Sequence, residues 1–514
     1  TVQRDAPHVE PSRANWTGEI HEQEDLMAER LKNVLFLWTD EQRPDTIGAY
    51  GNPTIRTPNV DRLAAEGVLF EQAYCTQPVC SPSRASVLTG LYPHRHGVLQ
   101  NNIPLPAEAP TLAERLRPAG YICGYVGKWH LGNELGRPAL GTHGFDCWVS
   151  TEDTYTRDRA AEGFSDYHHF LVSRGYTPPD EGRDGARVFS RPTAARLPEA
   201  VGKPAFQAAE CVRFLETHRD RPFLLMVNFL EPHPPFFSPF DHLYDPAEME
   251  LPESWYRAME PSVPERYRRR RRAYEARFPH AATNDERGWK EVKARYWGQC
   301  TLVDTYAGRI LDRLDELGLA EDTIVVYSTD HGDMMGDHRL IAKSVQYEGA
   351  TRVPLIVRAP WLAPRRIATP VSQVDLVPTL LDLLGQPIPA PAQGTSLVPL
   401  LIEGDTAPHE AEVVVEWNGL PRQISGSGDL SDPREVETQL RSVDVRTIRR
   451  GRWKLNVHLS GEFELYNLQD DPGEMHNAIR DPGHEVTVRA LDHRLRQWQR
   501  ETSDTVELPD PLGG

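Results

Sequence analysis

Cys80 is followed by Ser81-Pro82-Ser83-Arg84, the stretch of this 514-residue chain that carries the most chemical information. Ser81-Pro82 reads as a helix start, because a proline in the first turn lacks only an N–H that has no partner there. Residue 80 then stands at the positive end of a helix, with Arg84 one turn on and on the same face. An anionic nucleophile and an anionic ester are both stabilised at such a point. Cys75 lacks the proline and arginine at these offsets and is expected to be a buried structural thiol.

Ionisable residues also follow four short apolar runs. Asp40 and Glu41 come after residues 33–38, Lys128 and His130 after 121–126, His233 after 223–230, and Asp330 and His331 after 323–327. Runs of this length and composition are strands. Between them lie helical patterns, at 112–116 and at 57–67, where Thr57-Pro58 opens the helix and Gly67 ends it. Strands alternating with helices make an α/β fold, a mainly parallel sheet covered by helices on both faces. Ligands bind such sheets outside the carboxyl ends of the strands, where these four pieces converge.

The texture changes after about residue 400. Strand-like segments at 413–416, 443–447, 453–457 and 463–466 predict a smaller antiparallel subdomain. A helix over 485–500 closes it, with Val488, Leu491, Leu495 and Trp498 on one face. The expected organisation is an N-terminal extension (1–32), a catalytic domain (33–400), and a C-terminal subdomain with tail (401–514). The tail from Thr502 is expected to reach a neighbouring copy in a homo-oligomer.

Acidic residues outnumber basic ones by 75 to 57, for a net charge of −18. This excludes nucleic acid and anionic membrane as main partners. The arginine run at 268–272 is expected to be a solvated helix face. Six irregularly spaced cysteines do not form a disulfide framework and favour a reducing compartment. No apolar run approaches the ~18 residues that span a bilayer. Residues 1–32 lack the apolar centre of a signal peptide, so a cytoplasmic location is favoured, and a periplasmic or secreted one would require a signal already removed.

Cys80-Ser81-Pro82-Ser83-Arg84, followed by Ala85-Ser86-Val87-Leu88-Thr89-Gly90, resembles the C-x-P-x-R signature of type I sulfatases, whose cysteine is oxidised to formylglycine after translation. Lys128-Trp129-His130-Leu131-Gly132 is similar to that family's K-W-H-L-G segment. Asp40-Glu41 and Asp330-His331 resemble its two paired metal-ligand positions, His233 its proline-flanked loop, and Lys343 its late active-site lysine. Glu464-Leu465-Tyr466-Asn467-Leu468, then Asp470-Asp471-Pro472-Gly473-Glu474, resembles its E-L-Y-D-L-x-x-D-P-x-E ending.

The resemblance implies an alkaline phosphatase-like fold and a sulfuric ester hydrolase with one divalent metal held by Asp40, Glu41, residue 80, Asp330 and His331. In the implied mechanism the hydrated aldehyde at residue 80 attacks sulfur, His233 protonates the leaving oxygen, and Lys343 binds the sulfate. His130 then deprotonates the second hydroxyl to expel sulfate, while Lys128 and Arg84 neutralise the oxyanions. The implied partners are a small-molecule or carbohydrate sulfate ester and, during maturation, a formylglycine-generating enzyme.

Two departures stand out: Glu41 where many members have aspartate, and His331 where many have asparagine. Three carboxylates favour Ca2+, whereas the His331 imidazole brings Mn2+ into competition. Asp330-His331 also leans toward a phosphonate monoester or phosphodiester hydrolase of the same superfamily, and Lys128-Trp129-His130 leans back toward sulfate. A catalytically silent protein that binds sulfated ligands would have lost the cysteine, the arginine or a metal carboxylate, and none is lost. His338 is expected to support the ligands structurally. Tyr167-His168-His169 reads equally as a substrate contact or a surface cluster, and residues 141–196 and 246–297 are expected to shape the pocket mouth.

Overall fold

The computed structural model describes residues 33–132, 141–151, 165–176, 197–277, 285–390, 392–419 and 443–513. The extension at 1–32 and part of the expected pocket mouth lie outside them.

Strand β1 (Asn33–Thr39) shows why a covered sheet forms. All seven residues are buried and the side chains alternate: Val34, Phe36 and Trp38 enter one apolar cluster, Leu35 and Leu37 another. A strand apolar on both faces needs a helix layer on each side. The other strands of this sheet are β2 (Val68–Tyr74), β3 (Ile122–Gly127), β4 (Cys147–Ser150), β5 (Phe223–Asn228), β6 (Thr323–Thr329), β7 (Arg352–Arg358), β8 (Arg365–Ile367) and β9 (Val371–Ser372). The order is β4-β3-β5-β1-β6-β7-β2-β8, with β9 also on β2, and β7 runs antiparallel to its neighbours.

Helix α1 (Pro58–Glu66) follows β1, and α2 (Cys80–Thr89) follows β2. α2 buries Ala85, Val87 and Leu88 in the first cluster, whereas α3 (Lys203–His218) and the 31-residue α4 (Glu286–Glu316) fill the second. Register then assembles the site. Trp38 and Gly127 both pair with Asn228, and Thr39 pairs with Thr329. One step further along the parallel strands, Lys128, Asp40 and Asp330 emerge in a row.

The second sheet is antiparallel, β10 (Glu412–Trp417), β11 (Val445–Arg450), β12 (Trp453–His458) and β13 (Phe463–Asn467) in that order. α5 (Glu485–Thr502) buries Val488, Leu491, Leu495 and Trp498 against it, the face read from the sequence. The tail, expected to reach outward, is held by its own subdomain: Asp504 accepts two bonds from the buried Arg446 guanidinium (2.8 and 3.0 Å), and Leu508 is buried in the same core.

The arginine run lies on the helix Glu265–Arg277. Arg268, Arg269 and Arg272 pair with Glu265 as a solvated face would. Arg270 departs from that expectation: the helical period turns it inward, where it is buried with Nη1 3.4 Å from the Ser344 carbonyl. No helix among the described residues is long and apolar enough to cross a membrane.

Candidate active site

Every residue of α2 is buried, and Cys80 is its first residue. Ser81 donates through its hydroxyl to the His130 carbonyl and through its backbone N–H to Asn101 (3.0 Å). Ser83 Oγ donates to the Asp330 carbonyl at 2.5 Å. These bonds tie the start of α2 to the loops after β3 and β6. Arg84 joins the loops themselves. Its Nε donates to Asp330 Oδ2 and its Nη2 to Asp40 Oδ2, both at 2.9 Å, its Nη1 reaches the Lys128 carbonyl at 3.0 Å, and its guanidinium lies 5.0 Å over the Trp38 ring. Lys128 Nζ donates to the same Asp40 oxygen at 2.5 Å.

Cys80 Sγ lies 3.3 Å from His331 Nε2 and 3.8 Å from Asp40 Oδ1. His331 Nδ1 is 2.8 Å from the Gly332 carbonyl and must donate to it, so in the neutral ring the Nε2 lone pair faces the sulfur. Glu41 occupies the left-handed region at φ 66°. Its N–H donates to Asp330 Oδ1 (3.2 Å) and its carbonyl accepts from Tyr296 Oη (2.6 Å). Its Oε1 meets His233 Nε2 at 3.2 Å and also Lys343 Nζ, while Oε2 has no hydrogen-bond donor among the described residues.

Donor atoms of Asp40, Cys80, Asp330 and His331 lie within 4.8 Å of one another, as do those of Asp40, Glu41, Cys80 and His233. Buried carboxylates, an imidazole with a directed lone pair and an orphaned glutamate oxygen suit a divalent cation.

The sulfatase family model matches residues 32–386. This chain belongs to the sulfatase family. It is 31% identical to an uncharacterized sulfatase of Escherichia coli over 93% of this chain and 88% of that protein. It is also 31% identical to an arylsulfatase of Clostridium perfringens over 87% and 90%. A crystal structure of the phosphonate monoester hydrolase of Agrobacterium radiobacter superposes with a TM-score of 0.71 at 26% identity, covering 92% of this chain and 96% of that one. The mainly parallel sheet with a separate antiparallel subdomain is therefore the alkaline phosphatase-like fold expected from the sequence.

The charges of this sulfatase's site are uneven. Burial alone would raise Asp40, but the cations Lys128, His233 and Arg84 outweigh it and hold that carboxyl well below its usual range. Asp330 is raised by burial and then by the charge of Asp40. Burial, then Asp40, push the Cys80 thiol up, so an unmodified cysteine here is a weak nucleophile.

Other residues singled out in the sequence lie apart from this cluster. His338 stacks on Tyr347 (ring centroids 4.2 Å apart) and its Nε2 is 3.0 Å from the Gly473 carbonyl, a structural role. Tyr167 and His168 are buried, and Tyr167 packs in a small separate core. Cys75 is buried with Sγ 4.0 Å from the Ala350 carbonyl, as a structural thiol should be. Sequence reading missed Gln373, whose side-chain amide bridges Ser83 Oγ (3.0 Å), Ser328 Oγ (3.2 Å) and the Thr329 carbonyl. Nothing in its neighbourhood, Val371-Ser372-Gln373, signals that role.

His96 was also missed, although it follows the cysteine motif closely. Thr76 Oγ1 donates to Ser86 Oγ (2.7 Å), which lies 3.1 Å from His96 Nε2, and Val98 N–H donates to His96 Nδ1 (3.1 Å). Nδ1 as acceptor makes the ring neutral, and burial pushes its pKa down to about 3. A folded value below the unfolded ~6.5 means that this contribution is complete above pH 6.5 and is lost as pH falls toward 3, at about 1.4 kcal/mol per pH unit. The helix bearing residue 80 should therefore weaken in acid. Melting His96→Gln and the parent at pH 7.5 and 5 should show a smaller acid loss in the variant, and equal losses would refute the assignment.

Proposed function

We propose that this sulfatase hydrolyses sulfate monoesters of small molecules or carbohydrates, releasing sulfate and an alcohol or phenol, with residue 80 acting as formylglycine. The observation that carries the proposal is the position of Cys80 Sγ, 3.3 Å from His331 Nε2 in a group of metal donors and at the start of the helix that bears Arg84. Sγ stands in for an oxygen of the oxidised residue. Asp40, Asp330 and His331, with Glu41 beside them, would hold the ion, Ca2+ being favoured by the carboxylates and Mn2+ by the imidazole. When bound, such an ion acidifies a hydroxyl and offsets charge on a sulfuryl oxygen.

Oxidised by a formylglycine-generating enzyme and hydrated, residue 80 supplies one hydroxyl to attack sulfur and a second whose deprotonation releases sulfate. Arg84 and Lys128, fixed and buried, neutralise oxyanions around it. His233 Nε2 and Lys343 Nζ meet at Glu41 Oε1, which supports their pairing as the acid for the leaving oxygen and the cation for the sulfate. His130, tied through its carbonyl to Ser81, is assigned the release step as base.

The second reading is phosphonate monoester hydrolysis. It is favoured by the imidazole of His331 in the donor group and by the likeness to the Agrobacterium radiobacter enzyme. Parallel assays on an aryl sulfate and a phosphonate monoester are expected to show faster sulfate turnover, and a phosphonate rate higher by orders of magnitude would reverse the order. Intact-mass measurement should find residue 80 as the aldehyde. An inactive protein from a competent host that keeps its thiol would instead be a silent binder of sulfated ligands.

A further inference from the structure

We propose that Arg43, outside the reacting cluster, is a positioning residue that sets Lys343 against Glu41; the inference rests on the reading of the site given above. Lys343 sits at the end of the loop that leaves β6 beyond His331. That loop is unusual in its backbone: Met335, His338, Arg339, Ala342 and Ser344 all have positive φ, between 37° and 75°. Residues with a Cβ avoid this region, so a run of them persists only where the surroundings over-determine the conformation. Lys343 lies between two of them.

Two residues, Asp333 and Arg43, contribute to that determination, beside the bonds from His338 N–H to Ser254 Oγ (3.0 Å) and from Arg270 to the Ser344 carbonyl (3.4 Å). Asp333 Oδ1 closes the base of the loop by accepting from Met335 N–H (2.7 Å) and Ala342 N–H (3.0 Å). Arg43 grips the loop from outside, with Nη1 donating to the Asp333 carbonyl (2.9 Å), the Met334 carbonyl (3.2 Å) and Asp337 Oδ2 (2.6 Å). Its remaining edge forms a fork with Asp45, at 2.8 and 2.9 Å. Arg43 is itself registered to the metal-ligand segment: its N–H donates to Tyr296 Oη (3.0 Å), and that hydroxyl donates to the Glu41 carbonyl (2.6 Å). One guanidinium thus fixes the distance between the segment carrying Asp40 and Glu41 and the loop carrying Lys343. A lysine would keep the charge but not the planar fork that holds both sides at once.

The test is a double-mutant cycle in the full-length, metal-loaded protein with residue 80 oxidised. Aryl sulfate hydrolysis would be measured for R43A, R43K, K343A and R43A/K343A, with thermal melting of each. R43A is expected to lower kcat/KM by about 30-fold or more, the scale of a misplaced binding group, and R43K by less. The double variant should match K343A within about threefold, because Arg43 acts through the lysine. Effects of Arg43 and Lys343 that multiply, or an R43A enzyme equal to the parent, would overturn the proposal. So would loss of the fold in both R43A and R43K, which would assign Arg43 to stability instead. A parent protein that hydrolyses neither sulfate nor phosphonate esters would instead refute the functional reading beneath it.

Discussion

Cys80→Ala is expected to lower kcat on aryl sulfate by on the order of 10^4-fold or more while leaving the fold intact. The activity loss follows from chemistry, because alanine cannot be oxidised to an aldehyde and the rest of the donor group, carboxylates and imidazoles, holds no second thiol or hydroxyl. The tolerance of the fold follows from packing. Cys80 is fully buried, but its side chain is small and its polar contacts among the described residues are the long sulfur ones, at 3.3 Å to His331 and 3.8 Å to Asp40, so its loss costs about 1 kcal/mol. Single-turnover assays and thermal melting of the same preparation separate the two effects. A Cys80→Ala enzyme that keeps even a few per cent of parental turnover would show that residue 80 does not carry the reaction.

Arg84→Met should be the most destabilising single change at the site, by about 3–5 kcal/mol, because it leaves buried charge uncompensated. The guanidinium is buried and bridges Asp40 and Asp330, two buried carboxylates from strands that are neighbours in the sheet. Methionine fills much of the volume but neutralises nothing, so Asp40 keeps Lys128 whereas Asp330 is left with the backbone N–H groups of Glu41 (3.2 Å) and His331 (2.9 Å). The lost donors also lower kcat/KM, by on the order of 10^2–10^3-fold. A divalent ion should compensate part of the stability, since a ligand of the native state stabilises it by mass action. Denaturant titration with and without a chelator should therefore show a larger metal-dependent shift in the variant than in the parent. A destabilisation under 1 kcal/mol would mean that the carboxylates tolerate each other without the arginine.

The sequence by itself determined the local grammar of this protein. The apolar run before Asp40, the helix start at Cys80 with Pro82 in its first turn and the four-residue spacing of Cys80 and Arg84 are short-range facts, set by side-chain periodicity and backbone preference. The helix at Leu112–Leu116 is another, opened by a Thr111-Glu114 capping box. Strand ends moved by a residue or two, as with Thr329 beyond the expected end of β6, because a ladder continues while its partner strand does. Only the tertiary structure decided which charges meet. Arg84 and Asp330 are 246 positions apart and Arg43 and Asp337 are 294 apart, and no periodicity links such pairs. The inward turn of Arg270, the stacking of His338 on Tyr347 and the folding-back of the tail were decided in the same way. Each depends on the surface that the rest of the folded chain presents, and that surface exists only once the sheet has set its register.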